Sequence, residues 1–167
     1  MQRIMIIGGP GSGKSTMARA LGARLSLPVV HMDPIYWQGD WVERGKATVM
    51  QMAKAAADAP TWVLDGNHSR SMDYRADCAD TIIFLDMPRW LRAWRIPWRS
   101  ARFYGRTRPD MGPNCPERFD RGFLSFSWNY QTDGRLRALD FVARWSGRRD
   151  THILRSRSEV RRFLRQV

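Results

Sequence analysis

The stretch Gly8-Gly9-Pro10-Gly11-Ser12-Gly13-Lys14-Ser15 decides the fold. It matches the pattern G-x-x-x-x-G-K-[ST], in which glycines let the backbone turn its N–H groups inward around phosphate oxygens. A helix starting at such a loop points its positive end at the same anion. Both flanks suit the motif. Arg3 to Ile7 reads as a short buried strand, and Lys14 to Leu25 as a helix with Met17, Ala18, Leu21 and Leu25 on one stripe. A nucleoside triphosphate is therefore expected on Gly8, Gly9, Pro10, Gly11, Ser12, Gly13, Lys14, Ser15 and Thr16. Lys14 is expected to reach the outer phosphates, and the Ser15 hydroxyl to ligate Mg2+. The alternative is a purely structural glycine turn. No separate N-K-x-D element reads guanine, which favours ATP.

Outward from the loop, strand and helix patterns alternate. Pro28 to Met32 is apolar and ends at Asp33, and Trp37 to Trp41 is a loop carrying Gly39. Val42 to Ala59 reads as a helix stopped by Pro60. Thr61 to Leu64 and Thr81 to Leu85 read as strands ending at Asp65-Gly66 and Asp86, with a polar stretch over 67–80 holding at most a helical turn. Pro88 opens a helix rich in Trp and Arg, with a kink expected at Pro97. Tyr104 to Pro116 is a loop, Glu117 to Asn129 and Gly134 to Trp145 are helices, and Thr151 to Leu154 is a last strand. Ser158 is the expected cap of a terminal helix.

This order implies a parallel sheet with helices on both faces. Such sheets bind ligands outside the carboxyl ends of their strands, so Asp33, Asp65 and Asp86 are expected at one rim. A site of this kind needs a carboxylate near the metal. Asp65 is favoured over Asp86, because Gly66 beside it leaves room for a ligand. For either aspartate the alternative is a structural cap or ion pair.

The chain has 167 residues, 43% hydrophobic and 26% charged, which is the composition of one globular domain. No apolar run approaches the ~20 residues that span a bilayer, and no membrane partner is expected. Ile4 to Ile7 leads into glycines without a cleavage site, so it does not read as a signal peptide. Cys78 and Cys115 exclude a disulfide scaffold and a zinc finger, and a cytoplasmic location is expected, with Cys115 exposed and inert.

Charge separates the two halves. Residues 1–88 hold 9 basic and 9 acidic residues, whereas 89–167 hold 19 basic and 7 acidic. The whole net charge of +12 therefore lies in the second half, and all but three basic residues are arginine. Guanidinium forks suit phosphates. Trp90, Trp94 and Trp98 recur at helical spacing beside Arg92, Arg95, Arg99, Arg102 and Arg106. The plainer reading packs the tryptophans on the core, with arginine stems flanking them. The sharper one is a nucleic-acid surface, with arginines on phosphates and tryptophans stacked on bases.

Taken together, these features resemble the adenylate-kinase-like branch of P-loop kinases and, more closely, the bacterial DNA topology modulation proteins. The likeness is carried by Ile4 to Ser15, His31-Met32-Asp33 with Trp37 and Trp41, Leu64-Asp65-Gly66-Asn67, Phe84-Leu85-Asp86-Met87-Pro88, and Gly105-Arg106-Thr107-Arg108-Pro109-Asp110. It implies a five-stranded parallel sheet, a lid over about 104–121 and an acceptor side over about 33–60. It further implies that Arg106, Arg108 and Arg121 close on the transferring phosphoryl group, and that Arg118 contacts the nucleotide.

True adenylate kinases grip the acceptor phosphate with an arginine soon after the second strand. Here no arginine precedes Arg44 in that stretch, so an acceptor with a hydroxyl and a flat or apolar body is expected. Asp33 would be its general base, the alternative being a turn residue before Pro34. The expected activity is an ATP- and Mg2+-dependent phosphotransferase. The competing expectation is a nucleotide-regulated nucleic-acid-binding protein acting on DNA topology through Arg92, Arg95, Arg99 and Arg102.

Overall fold

The computed structural model describes residues 1–167. Five strands form one sheet: β1 (Arg3–Gly8), β2 (Val29–His31), β3 (Trp62–Asp65), β4 (Thr81–Leu85) and β5 (Asp150–Leu154). Their spatial order is β2-β3-β1-β4-β5, and every pair is parallel. The parallel sheet expected from the strand pattern is present, with the five strands that the resemblance implies. The central strands are apolar along their length because helices cover both faces.

Two apolar layers result. On one face Met5, Ile7, Trp62, Leu64, Ile82 and Phe84 pack under Val49, Ala53, Phe141 and Trp145. On the other, Ile4, Ile6, Val63, Ile83 and Leu85 pack under Met17, Leu21, Leu91 and Phe163. The helices are α1 (Lys14–Leu25), α2 (Met32–Tyr36), α3 (Lys46–Ala57), α4 (Ser69–Cys78), α5 (Arg89–Arg102), α6 (Arg121–Asn129), α7 (Gly134–Trp145) and α8 (Arg157–Gln166).

Several expectations change. The polar stretch after β3 is a full helix, α4, which buries Ser71, Arg75 and Ala76. A short helix, α2, begins where a strand end was expected, and Pro34 sits in its first turn, where no donor is missed. The cap of α8 is Ser156, whose hydroxyl accepts the Glu159 N–H, and not Ser158. Cys115 is 1% exposed and so is no open lid thiol.

The largest reversal concerns α5. Trp90, Trp94 and Trp98 do not pack on the core; they are 66%, 69% and 65% exposed. Arg92 takes the inner face with Leu91, Ile96 and Ser100. The reason is what lies beneath: Arg92 meets the Met87 and Ser127 carbonyls and Arg95 those of Gly11 and Ser12, acceptors that an arginine satisfies and a tryptophan cannot.

Candidate active site

The glycine loop leaves β1 and turns into α1 at the carboxyl end of the sheet. Gly11 adopts φ +73, and a Cβ there would lie 2.9 Å from the Arg92 carbonyl oxygen, so only glycine fits on both counts. Three side chains brace the loop from behind. Arg92 donates to the Met87 and Ser127 carbonyls at 3.3 and 2.9 Å and lies over the Tyr130 ring. Arg95 donates to the Ser12 carbonyl at 2.9 Å and to that of Gly11 at 3.4 Å. Asn67, just past β3, pairs both ways with Gly8: its amide nitrogen donates to the Gly8 carbonyl at 2.8 Å, and its oxygen accepts the Gly8 N–H at 3.2 Å. Tyr130 packs on Gly9, and burial pushes its phenol up to about 12.

In front of the loop lies one cleft of about 980 Å³. That is the upper end of the ~300–1,000 Å³ usual for small-molecule sites, room for two ligands. Pro10, Gly11, Ser12, Gly13, Lys14, Ser15 and Thr16 line it, and Gly8 and Gly9 are buried behind. The Lys14 ammonium donates to the Gly8 and Gly9 carbonyls at 2.9 and 3.2 Å. Burial lowers its pKa, opposed by the charges of Asp33 and Asp65.

Asp33 comes from α2 and stays exposed within the cleft, whose walls surround it. That surrounding protein pushes its carboxyl above the usual carboxylate range, with Lys14 pulling the other way. Asp65 ends β3 and is buried. Its Oδ1 pairs with His31 Nδ1 at 2.8 Å, while its Oδ2 is buried with no partner. Burial alone would lower the His31 pKa, but the bond to Asp65 and that charge outweigh it, so the ring is raised above the ordinary histidine value.

The lid segment curls over the same cleft, pinned by bridges Tyr104–Glu117 and Thr107–Pro116. Inside it, Arg108 donates to Glu117 at 2.7 Å and to Asp110 at 2.8 Å. Glu117 also accepts from Arg99 at 3.1 Å and from Ser100 at 2.9 Å. Asp110 lies near Ser15 and 3.7 Å from Arg19. Burial works against its charge, but Arg108 and Ser15 outweigh that and hold its carboxyl low. The same segment also touches the loop after α2: the Asp40 N–H donates to the Asn114 carbonyl at 3.1 Å, and the Trp41 indole to that of Pro116 at 3.1 Å. Asp40, Trp41 and Asn114 all hold positive φ, at 49°, 57° and 52°.

The arginines expected over the phosphates divide. Arg108 and Arg118 line the cleft, Arg118 with its guanidinium 5.6 Å from the Trp41 ring. Arg106 and Arg121 are exposed and lie outside it. Of the aspartates expected at one rim, Asp33 and Asp65 share the cleft. Asp86 does not; it accepts two bonds from Arg135, at 2.7 and 2.8 Å. Gly66 leaves less room than expected. At φ +117, the place of its missing Cβ is 2.6 Å from Met32, so its smallness serves packing.

Arg92, Arg95 and Arg99, offered by the sequence as a nucleic-acid face, spend their guanidiniums on protein instead, and only Arg102 of the four is exposed. Arg75 is also hidden in α4. It donates to the Gly66 carbonyl at 2.9 Å, and burial lowers its pKa to about 10.

The donor set fits Mg2+. A serine hydroxyl and an orphaned buried carboxylate oxygen are hard ligands beside a phosphate loop. No trio of His, Cys, Asp or Glu converges as a metal cage. Mg2+ that keeps waters and phosphate oxygens requires none.

Comparison with known proteins agrees with this architecture. The family model described as ATPase family associated with various cellular activities (AAA) matches residues 4–86. That span runs from β1 to the end of β4 and holds the loop, Asp33 and Asp65. Among solved structures, the chain is similar to a shikimate kinase from Bacteroides thetaiotaomicron, at 17% identity and TM-score 0.57, over 99% of this chain and 95% of that one. A gluconokinase from Sinorhizobium meliloti is similar at 14% identity and TM-score 0.56, over 99% and 88%. A shikimate kinase from Acinetobacter baumannii in complex with shikimate follows at 13% identity and TM-score 0.54, over 99% and 90%. No curated protein sequence matches the chain. At such identities the likeness is one of fold, and the chain has a P-loop NTPase fold that matches the folds of these structures.

Proposed function

We propose that the protein is an ATP- and Mg2+-dependent phosphotransferase acting on a hydroxyl of a small acceptor. The observation that carries this reading is the sharing of one cleft by Lys14, Asp33 and Asp65. Phosphoryl transfer asks little covalent chemistry of a protein; it asks for positioning and charge neutralisation. Lys14, freed from the Gly8 and Gly9 carbonyls, grips the outer phosphates with Arg118 on the lid side, and Arg108 joins them only by giving up Glu117 or Asp110. Arg106 and Arg121 enter this reading only through closure of the lid, since both stand outside the cleft. Ser15 and Asp65 would hold Mg2+, which neutralises phosphate charge when bound. Asp33 orients the acceptor hydroxyl and takes its proton.

A hydroxyl acceptor is favoured over a nucleoside monophosphate. The first arginine after β2, Arg44, donates its Nε to the Ile35 carbonyl at 3.0 Å, Arg75 is committed to Gly66, and Arg70, the exposed arginine after Asp65-Gly66 that could grip an acceptor phosphate, does not line the cleft. Trp37 and Trp41 bring an apolar, aromatic wall to that side. The similar kinases named above include two for shikimate and one gluconokinase, which agrees with a small hydroxylated metabolite. The resemblance to DNA topology modulation proteins rests on the motif stretches alone, is not met again among the similar proteins, and supplies no acceptor.

The test is ADP release with Mg-ATP against hydroxylated metabolites, nucleosides and nucleoside monophosphates, with Lys14→Ala as blank. One class raising turnover well above basal hydrolysis supports the reading. Stimulation by nucleic acid alone sinks it. Asp33→Asn should lower kcat about 100- to 10,000-fold, the usual contribution of a general base. Asp33 must be ionised to act. Its raised pKa puts the acid limb of kcat/KM above the ordinary carboxylate range, with activity lost as pH falls through it.

A further inference from the structure

We propose that the outer face of α5 docks on the surface of an anionic lipid bilayer. Trp90, Trp94 and Trp98 stand one helical turn apart, each about two-thirds exposed. Pro97 and Ala101 fall on the same side by the helical period, so the face carries no charge along its middle. Three large aromatics in line on solvent are not single surface hydrophobes; they form a contiguous apolar strip. Neither α5 nor α6 contains an acidic residue.

The arrangement of the cations selects the occupant. Arg92, Arg95 and Arg99 turn inward to carbonyls and Glu117, so none stands between the tryptophans. The guanidiniums left on the outside are at the ends. Arg89 lies over the Trp128 ring at 4.6 Å, and Arg102 is exposed at the last turn. A nucleic-acid strand stacked on the rings would need cations tracking its phosphates along the row. A bilayer interface wants the reverse: amphipathic aromatics at headgroup depth in the centre and cations at the margin for anionic headgroups. A second copy of this chain would bring the same margin and the same net charge of +12, and so would be repelled. The expectation of no membrane partner came from the lack of a spanning run. Indeed no helix is long and apolar enough to cross a membrane, but a helix lying in the interface needs no such length.

The experiment uses the full chain and sedimentation with vesicles of phosphatidylcholine alone or mixed with phosphatidylglycerol. Binding should require the anionic lipid and weaken with salt. The triple variant Trp90→Ser, Trp94→Ser, Trp98→Ser should bind at least tenfold more weakly. In the unaltered chain, vesicles with brominated acyl chains should quench tryptophan fluorescence, a readout that does not depend on a variant folding. No preference for anionic vesicles, or no quenching, overturns the proposal. So does tighter binding of oligothymidylate, which would make the strip a stacking platform, or self-association lost in the triple variant, which would make it a contact between copies.

Discussion

Helices α1 and α5 both meet the glycine loop, and they solve opposite problems. α1 grows out of the loop and lays Met17, Ala18, Leu21 and Gly22 on the sheet. Its apolar stripe faces inward, as the pattern demands. α5 crosses the outside of the loop, buries an arginine and leaves its tryptophans in water. The more amphipathic of the two helices by eye is thus the one turned the other way. An inner face is chosen by what must be satisfied beneath it. Under α1 lie apolar side chains; under α5 lie the carbonyls of Gly11, Ser12, Met87 and Ser127. The comparison also divides labour. In the proposed reaction α1 would carry the chemistry in Lys14 and Ser15, and α5 holds the loop that presents them.

The sharpest probe of that division is Lys14→Ala. It should cost about 100- to 1,000-fold in turnover, the scale of losing one preorganised donor to developing charge. Chemical denaturation should barely register it, because Lys14 gives up only its bonds to Gly8 and Gly9. Next comes Arg92→Met, which keeps the bulk and removes the donors. It strands the Ser127 and Met87 carbonyls in a buried place and should lower stability by about 2–3 kcal/mol in urea unfolding. A neutral result would mean that α5 is held by its apolar residues after all.

Arg95→Ala should be milder, about tenfold in kcat, or about 1.4 kcal/mol, with nucleotide affinity falling alongside. Equal losses from Arg95→Ala and Lys14→Ala would erase the distinction between bracing and chemistry. Smallest is Trp94→Ser, within about 0.5 kcal/mol of the parent in thermal unfolding, since an exposed side chain packs on little. A large loss there would return the tryptophans to the core.

Much of this could be read in the residues. α1 and α7 match the expected bounds, as does β4, because a clean period fixes both existence and limits. The loop, Lys14 and Ser15 follow from one local motif. Other parts were not legible. α4 hides in a polar stretch because it buries small and hydrogen-bonded groups, Ser71, Ala76 and Arg75, in place of an apolar stripe. Asn67 and Arg95 brace the loop from 59 and 83 residues away, and no local pattern announces an amide or guanidinium that serves a distant carbonyl. Arg106 and Arg108 are two residues apart, yet one is exposed and the other buried between two carboxylates. Spacing alone does not tell an outward side chain from an inward one in an irregular loop.

The bonds from Asp40 and Trp41 to Asn114 and Pro116 join the two covers of the cleft at backbone positions that non-glycine residues rarely adopt. Such conformations persist where neighbours enforce them, so each cover is the other's template. The cleft then has one door with two leaves. On the proposed function, lifting the leaf over the phosphates would slacken the leaf over the acceptor, and neither ligand would be exchanged without wetting the other. Departure of both products through that shared opening, more than the transfer itself, would then set the pace of a turnover.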